Sequence, residues 1–247
     1  MDANEIASTL RDAADAARVA LAAFEGAGPS GEREGQYALD LVADDAVCDV
    51  LLRAGLAVFS EESGKRGEGP IVVVVDPVDG STNADRGIPF YSISLCAMDE
   101  AGPVVSMVEN LVTRDVFAAS RGRGATKNGS TIRPQDTRAS KEAIVGVNGV
   151  LTHRPGWAQV RTLGSAALEL CLVADGSLDG YVQVGGAAIH PWDYLAGLHI
   201  VQEAGGAIRS IDGDELIVQE DVPRRPLAAA TEVLADELLS DLRSIPG

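Results

Sequence analysis

The sequence predicts an α+β fold in which sheets and helices stack in layers, and three observations carry this. Ile71, Val72, Val73, Val74 and Val75 form an unbroken β-branched run, the pattern of a strand buried on both faces. Residues 6–24 and 192–204 carry apolar side chains at helical spacing. Strand-like and helix-like segments are mixed rather than strictly alternating, which argues against a simple doubly wound sheet.

The elements follow in order. An Ala-rich amphipathic helix is expected over 6–24, then a Gly/Pro/Ser-rich loop over 26–35. A second helix is expected over 44–54, with Asp44 or Asp45 at its start and Val47, Val50 and Leu51 on its buried face. Residues 56–59 read as a short strand and 61–69 as a polar, Gly-rich loop. After strand 71–75, further strands are expected at 91–98, 104–110, 115–120, 144–150 and 178–184. Helices are expected at 166–174, 192–204 and 231–242. The stretch 136–141 divides an N-terminal part, 1–140, from a C-terminal part, 141–247, of one compact unit.

Composition excludes several classes. With 46% hydrophobic residues in 247, the chain has material for an ordinary core and is not a disordered segment. No apolar run is long enough to span a membrane, and residues 1–10 do not read as a signal peptide. Cys48, Cys96 and Cys171 are scattered and odd in number, so they read as reduced core thiols of a cytoplasmic protein. The net charge of −17 disfavours nucleic acid and anionic membrane as partners. Arg121, Arg123 and Lys127 are the only dense basic group.

Chemistry concentrates at the end of the β-branched run. Asp76-Pro77-Val78-Asp79-Gly80-Ser81-Thr82 follows Val75 directly. Pro77 is expected to fix a turn that swings Asp79 back beside Asp76. Carboxylates that close repel unless a cation sits between them, and oxygen ligands suit Mg²⁺. N–H groups after Gly80 suit phosphate oxygens. On its own the segment reads equally well as a turn with capping aspartates. Glu61-Glu62-Ser63 upstream and His190-Pro191-Trp192-Asp193 at the start of a helix downstream supply more carboxylates. Trp192 alone reads as packing, and His190 as a surface or supporting residue.

Together, Glu61-Glu62-Ser63, Asp76-Pro77-Val78-Asp79-Gly80-Ser81-Thr82 and Trp192-Asp193 resemble the inositol monophosphatase family. The resemblance runs from about 40 to 206. It includes Asn83, the segment 120–125 with Asn128 and Gly129, Gly164-Ser165-Ala166-Ala167, and Glu203-Ala204-Gly205-Gly206. It implies an αβαβα layered sandwich, as in inositol monophosphatases and fructose-1,6-bisphosphatases. It also implies a homodimer and lithium-sensitive, Mg²⁺-dependent removal of phosphate from a small soluble molecule.

By that resemblance, Glu61, Asp76 and the Val78 carbonyl hold one metal, and Asp76, Asp79 and Asp193 hold a second. Glu61, with Glu62 as auxiliary, helps position a third. Two or three Mg²⁺ ions are implied, with Mn²⁺ as a substitute and Li⁺ and Ca²⁺ as inhibitors. A hydroxyl–carboxylate pair activates the attacking water. Ser81 takes the hydroxyl position and Asp45 the carboxylate position, with Asp44 as the alternative. Gly80, Ser81 and Thr82 bind phosphate. Gly164, Ser165, Ala166, Gln183 and Asp193 line the substrate pocket, with His190 beside it.

Two departures stand out. The loop 31–37 holds Glu32, Arg33 and Glu34 where relatives often place a lysine. Gln183 stands where inositol phosphatases carry a glutamate, and the segment 182–190 is longer than usual. An amide donates as well as accepts, so the leaving-group pocket changes character. Polyol and sugar phosphates, histidinol phosphate, fructose bisphosphate, nucleotide 3′-phosphates and a specialised biosynthetic substrate are all compatible. A non-catalytic metal- or phosphate-binding relative is the reading from another class; it predicts a broken carboxylate set.

Overall fold

The computed structural model describes all residues except 27, 33–35, 153–154, 186–187 and 244–247. Helix α1 (Ala3–Ala23) starts on a reciprocal cap. Asp2 Oδ1 accepts from the N–H groups of Asn4 and Glu5, and Glu5 Oε2 accepts from the Asp2 N–H. Helix α2 (Ala38–Arg53) begins six residues before the expected start. Asp40, in its first turn, accepts the Tyr37 N–H at 2.9 Å. Asp44 and Asp45 therefore lie well inside the helix.

Strand β1 (Ala57–Ser60), close to the short strand expected at 56–59, forms a hairpin with β2 (Gly64–Arg66), which lies inside the stretch 61–69 expected to be only a loop. Strand β3 (Val72–Asp79) pairs in parallel with β1 and antiparallel with β4 (Ser92–Asp99). The sheet continues through β5 (Gly102–Asn110), β6 (Val116–Ser120), β7 (Ala125–Lys127) and β8 (Ser130–Thr131). Its order is β2-β1-β3-β4-β5-β6-β7-β8. The chain crosses to a second sheet over 132–143. There β9 (Ile144–Asn148), β10 (Gln159–Arg161), β11 (Gly180–Gln183), β12 (Ala207–Ser210) and β13 (Pro226–Ala229) lie in the order β10-β9-β11-β13-β12.

Side-chain alternation on β3 sets the layers. Val73 and Val75 pack beneath α1 and α2 with Leu10, Val47 and Leu51. Val74 faces the opposite way, into a core shared with α4 (Ala166–Ala174) and α5 (Pro191–Ala204). These two helices also pack on the second sheet, whose far face is covered by α6 (Glu232–Arg243). The stack is helices, sheet, helices, sheet, helix. That is the αβαβα sandwich expected, and α5 is buried along most of its length because both sheets press on it.

One local expectation is corrected. Pro77 does not turn the chain out of the sheet; β3 runs on to Asp79. Asp76 pairs with Ser94 and Asp79 with Ser92, so three steps on β3 face two on β4. In an unbroken strand, residues three apart point to opposite faces. The bulge inserts the extra residue and returns Asp79 to the side of Asp76. Proline is tolerated there because the ladder is already interrupted. Gly80 follows at φ 93°, and the short helix α3 (Ser81–Asp85) starts after it.

Candidate metal centre

Three carboxylates, two from neighbouring strands of the first sheet and one from α5, meet at the end of β3. Glu61 leaves β1 with its N–H on the Val75 carbonyl at 3.1 Å. Asp76 is buried on β3 and accepts the Val78 N–H at 3.0 Å. Asp193 sits in the first turn of α5, where its Oδ2 accepts the His190 N–H at 2.7 Å. One oxygen from each lies within 4.8 Å of the others.

Asp79 is framed differently. Its Oδ2 accepts the Ser165 hydroxyl at 2.5 Å and the Ala167 N–H at 2.8 Å, and its Oδ1 the Ala166 N–H at 3.3 Å. The N-terminus of α4, where Ser165 is the cap, thus grips a carboxylate from β3. Ser165 and Ala166, expected to line the substrate pocket, spend these groups on Asp79.

Burial raises the pKa of Asp76 well above the ordinary carboxylate value, and the charges of Glu61, Asp79, Asp193 and Asp40 raise it further. Asp79 and Asp193 are also pushed up, by burial first. Carboxylates this crowded ionise together only with positive charge among them. Their hard oxygen donors fit a divalent cation of the Mg²⁺ class.

The turn at 163–165 backs this centre. Glu169, fully buried on α4, accepts the Leu163 and Gly164 N–H groups at 3.0 and 3.1 Å. Burial pushes its carboxyl up to about 7. A Cβ at Gly146 would lie 2.5 Å from Glu169 Oε2, so glycine there makes room for the carboxylate. Asn83 Nδ2 donates to the Phe90 and Leu163 carbonyls at 2.8 Å each. A Cβ on Gly80 would come 2.8 Å from the Gly164 carbonyl oxygen. The turn therefore presses against the backbone where Gly80, Ser81 and Thr82 begin α3.

The remaining expected residues separate. Asp45, expected to pair with Ser81, is exposed on α2, off the buried face that carries Asp40 and Asp44. Asp44 is buried but takes the Ser60 hydroxyl and lies 3.4 Å from Cys48 Sγ. Asp40, two turns or less toward the helix start, is the buried α2 carboxylate whose charge reaches Asp76. The Tyr37 hydroxyl lies 3.3 Å from Thr82 Oγ1, so the start of α2 meets the start of α3. Glu62 accepts from Gln36 Nε2. Gln183 is buried and accepts the Tyr181 hydroxyl at 3.0 Å. His190 stacks on Trp192 at 5.0 Å, and Trp192 packs edge-on against Phe59. Of the altered loop 31–37 and the segment 182–190, residues 33–35 and 186–187 lie outside the described residues.

A model of the inositol monophosphatase family matches residues 4–246. The chain belongs to that family. This inositol monophosphatase family member is 36% identical over 213 residues to the fructose-1,6-bisphosphatase/inositol-1-monophosphatase of Archaeoglobus fulgidus, covering 82% of this chain and 81% of that one. It is 31% identical over 196 residues to Nus factor SuhB of Pasteurella multocida, covering 71% of each. The structure of inositol monophosphatase from Anabaena (Nostoc) sp. PCC 7120 matches with a TM-score of 0.83 at 26% identity, over 98% of this chain and 97% of that one. As a member of this family the chain is a phosphoric monoester hydrolase.

Proposed function

We propose that the chain hydrolyses the phosphate monoester of a small soluble polyol or sugar metabolite at the Glu61–Asp76–Asp193 centre, with Mg²⁺ as cofactor. The observation that carries this is the convergence of the three carboxylates within 4.8 Å. Glu61, Asp76, Asp193 and the Val78 carbonyl would hold the ions, with Asp79 aimed by α4. Bound Mg²⁺ would supply positive charge to the phosphoryl oxygens and favour ionisation of the attacking water.

The chain's own groups do the rest. Gly80 and Ser81 offer N–H groups at the start of α3 to the phosphate. Asp40, rather than Asp45 or Asp44, is the carboxylate that orients and deprotonates water with the Ser81 hydroxyl. Its burial, its charge on Asp76 and the contact of the α2 and α3 starts support that role. Thr82 and His190 lie beside these groups and complete the rim.

Fructose bisphosphate joins inositol phosphate among the candidate substrates, because the relative from Archaeoglobus fulgidus carries both names. A cytoplasmic homodimer is the expected state; among the described residues no helix is long and apolar enough to cross a membrane. Phosphate release from a panel of inositol, sugar, histidinol and nucleotide 3′-monophosphates with Mg²⁺ tests the proposal. Turnover of at least one is expected. No release from any of them at any Mg²⁺ concentration would defeat it.

A further inference from the structure

We propose that the chain carries a second binding site, for a small alkylammonium ion, in a cavity at the end of α5 opposite the carboxylate centre. The cavity measures ≈ 660 Å³ and is walled by the turn 99–103, Arg121, the C-terminal turn of α5 and the segment 215–219. That volume suits a small organic ligand. At 1.5 Å per helical residue, its α5 residues His199 and Glu203 lie about 9 and 15 Å along the axis from Asp193.

The wall chemistry selects a cation. Asp99, Glu100, Glu203 and Glu215 face one guanidinium, that of Arg121. Arg121 is already committed to Asp99 at 2.7 and 3.0 Å and to the Gly102 and Pro103 carbonyls at 2.6 and 2.8 Å. Met98, Ala101 and Ile217 add apolar wall suited to methylene groups.

His199 supplies the independent observation. It lines the cavity, is 3% exposed, and its Nδ1 lies 2.8 Å from Ser106 Oγ. The Ser106 hydroxyl donates to Cys96 Sγ at 3.3 Å, so its lone pair takes the Nδ1 proton. Nε2 is then a bare acceptor. It is buried, without a hydrogen-bond partner, and 3.9 Å from Glu203 Oε1. Glu203 Oε1 already accepts the Gly122 N–H at 2.8 Å, and Oε2 the Gly124 N–H at 2.9 Å, but a carboxylate oxygen has a second lone pair, so Nε2 and Oε1 can share one further donor. One ammonium nitrogen about 2.8 Å from each would span them at an angle of roughly 90°. Burial holds the imidazole pKa down to about 4, so the ring is neutral and does not repel a cation.

The same cavity is tied to the carboxylate centre by one strap of chain. Glu215, Ile217 and Gln219 line the cavity. The Tyr194 hydroxyl of α5 donates to the Leu216 carbonyl at 3.0 Å. Further along, Asp221 Oδ1 pairs with His190 Nδ1 at 2.5 Å, and Arg224 exchanges backbone hydrogen bonds with Ile189 at 2.8 and 3.0 Å. His190 in turn donates its N–H to Asp193. A ligand that draws Glu215 inward therefore acts on the frame of Asp193.

The chain has three histidines, so its imidazole ¹⁵N spectrum is simple. The test is titration of the ¹⁵N-labelled protein with putrescine, alongside calorimetry. The His199 Nε2 signal should shift and saturate at one equivalent, with His190 following the same curve. Glu100→Gln with Glu215→Gln should weaken binding at least tenfold, as should His199→Asn, which keeps an amide for Ser106. Asp136→Asn, on the exposed surface, should leave binding unchanged, and so should Asp76→Asn. A static His199 signal overturns the site. So does equal weakening by Asp136→Asn, or undiminished binding in the Glu100/Glu215 variant. A His190 signal that stays fixed while His199 saturates overturns the coupling.

Discussion

Ser165 Oγ donates to Asp79 Oδ2 at 2.5 Å, joining the cap of α4 to the end of β3. Two layers of the sandwich are thereby locked at one carboxylate. Ser165→Ala removes a hydrogen bond to a charged group, which is worth about 2 kcal/mol. The melting temperature should fall and the Mg²⁺ concentration for half-maximal turnover should rise. Calorimetry and a Mg²⁺ titration of phosphate release check both; an unchanged Mg²⁺ requirement would show that Asp79 needs no such aim.

Gly80 adopts φ 93°, and a Cβ there would lie 2.8 Å from the Gly164 carbonyl oxygen. Gly80→Ala should cost about 2 kcal/mol from backbone conformation alone, with more from the contact. Urea unfolding should show the loss, and turnover should fall more steeply than stability because the start of α3 moves.

Asp40→Asn should lower kcat a hundredfold or more, about the size of a lost general base. Asp45→Asn should be within twofold of the parent, because Asp45 is exposed. Steady-state kinetics of the two variants compare them directly. The reverse order would return the water-activating role to Asp45.

Stability should depend on pH and metal together. The folded-state pKa values of Asp193 and Glu169 are pushed up to about 7 by burial, from ordinary values of 3.8 and 4.5. Between those limits the folded chain binds more protons than the unfolded chain. Their contribution is fully present below about pH 4 and is lost as pH rises through 7. In EDTA the melting temperature should therefore fall between pH 5 and pH 8. Mg²⁺ should raise it more at pH 8 than at pH 5, because only ionised carboxylates bind the ion. A melting temperature that rises with pH in EDTA would contradict the crowded-carboxylate picture.

Much of the layered fold, and the carboxylates that cluster at the end of β3, could be read from residues alone. The β-branched run ending in Asp76 is buried on both faces by construction, and the apolar face of α5 carries Asp193 with it. Asp40 escaped notice because Tyr37 is not a capping residue type, while the Asp44–Asp45 pair mimics a helix start. The Asp76–Asp79 bulge was hidden because Asp-Pro and Asp-Gly mark turns in most settings. Strands β10, β12 and β13 are only three or four residues long. They depend on partners far away in the chain, which local patterning does not reveal.

The central claim is that Glu61, Asp76 and Asp193 form a metal centre for phosphate monoester hydrolysis. Its most direct test is phosphate release by the parent chain and by Asp76→Asn across a Mg²⁺ series, with melting temperatures measured in parallel. The parent should show no turnover in EDTA and saturable activation by Mg²⁺, while Asp76→Asn stays folded and inactive throughout. Parent-like turnover by Asp76→Asn, or full activity in EDTA, would contradict the account.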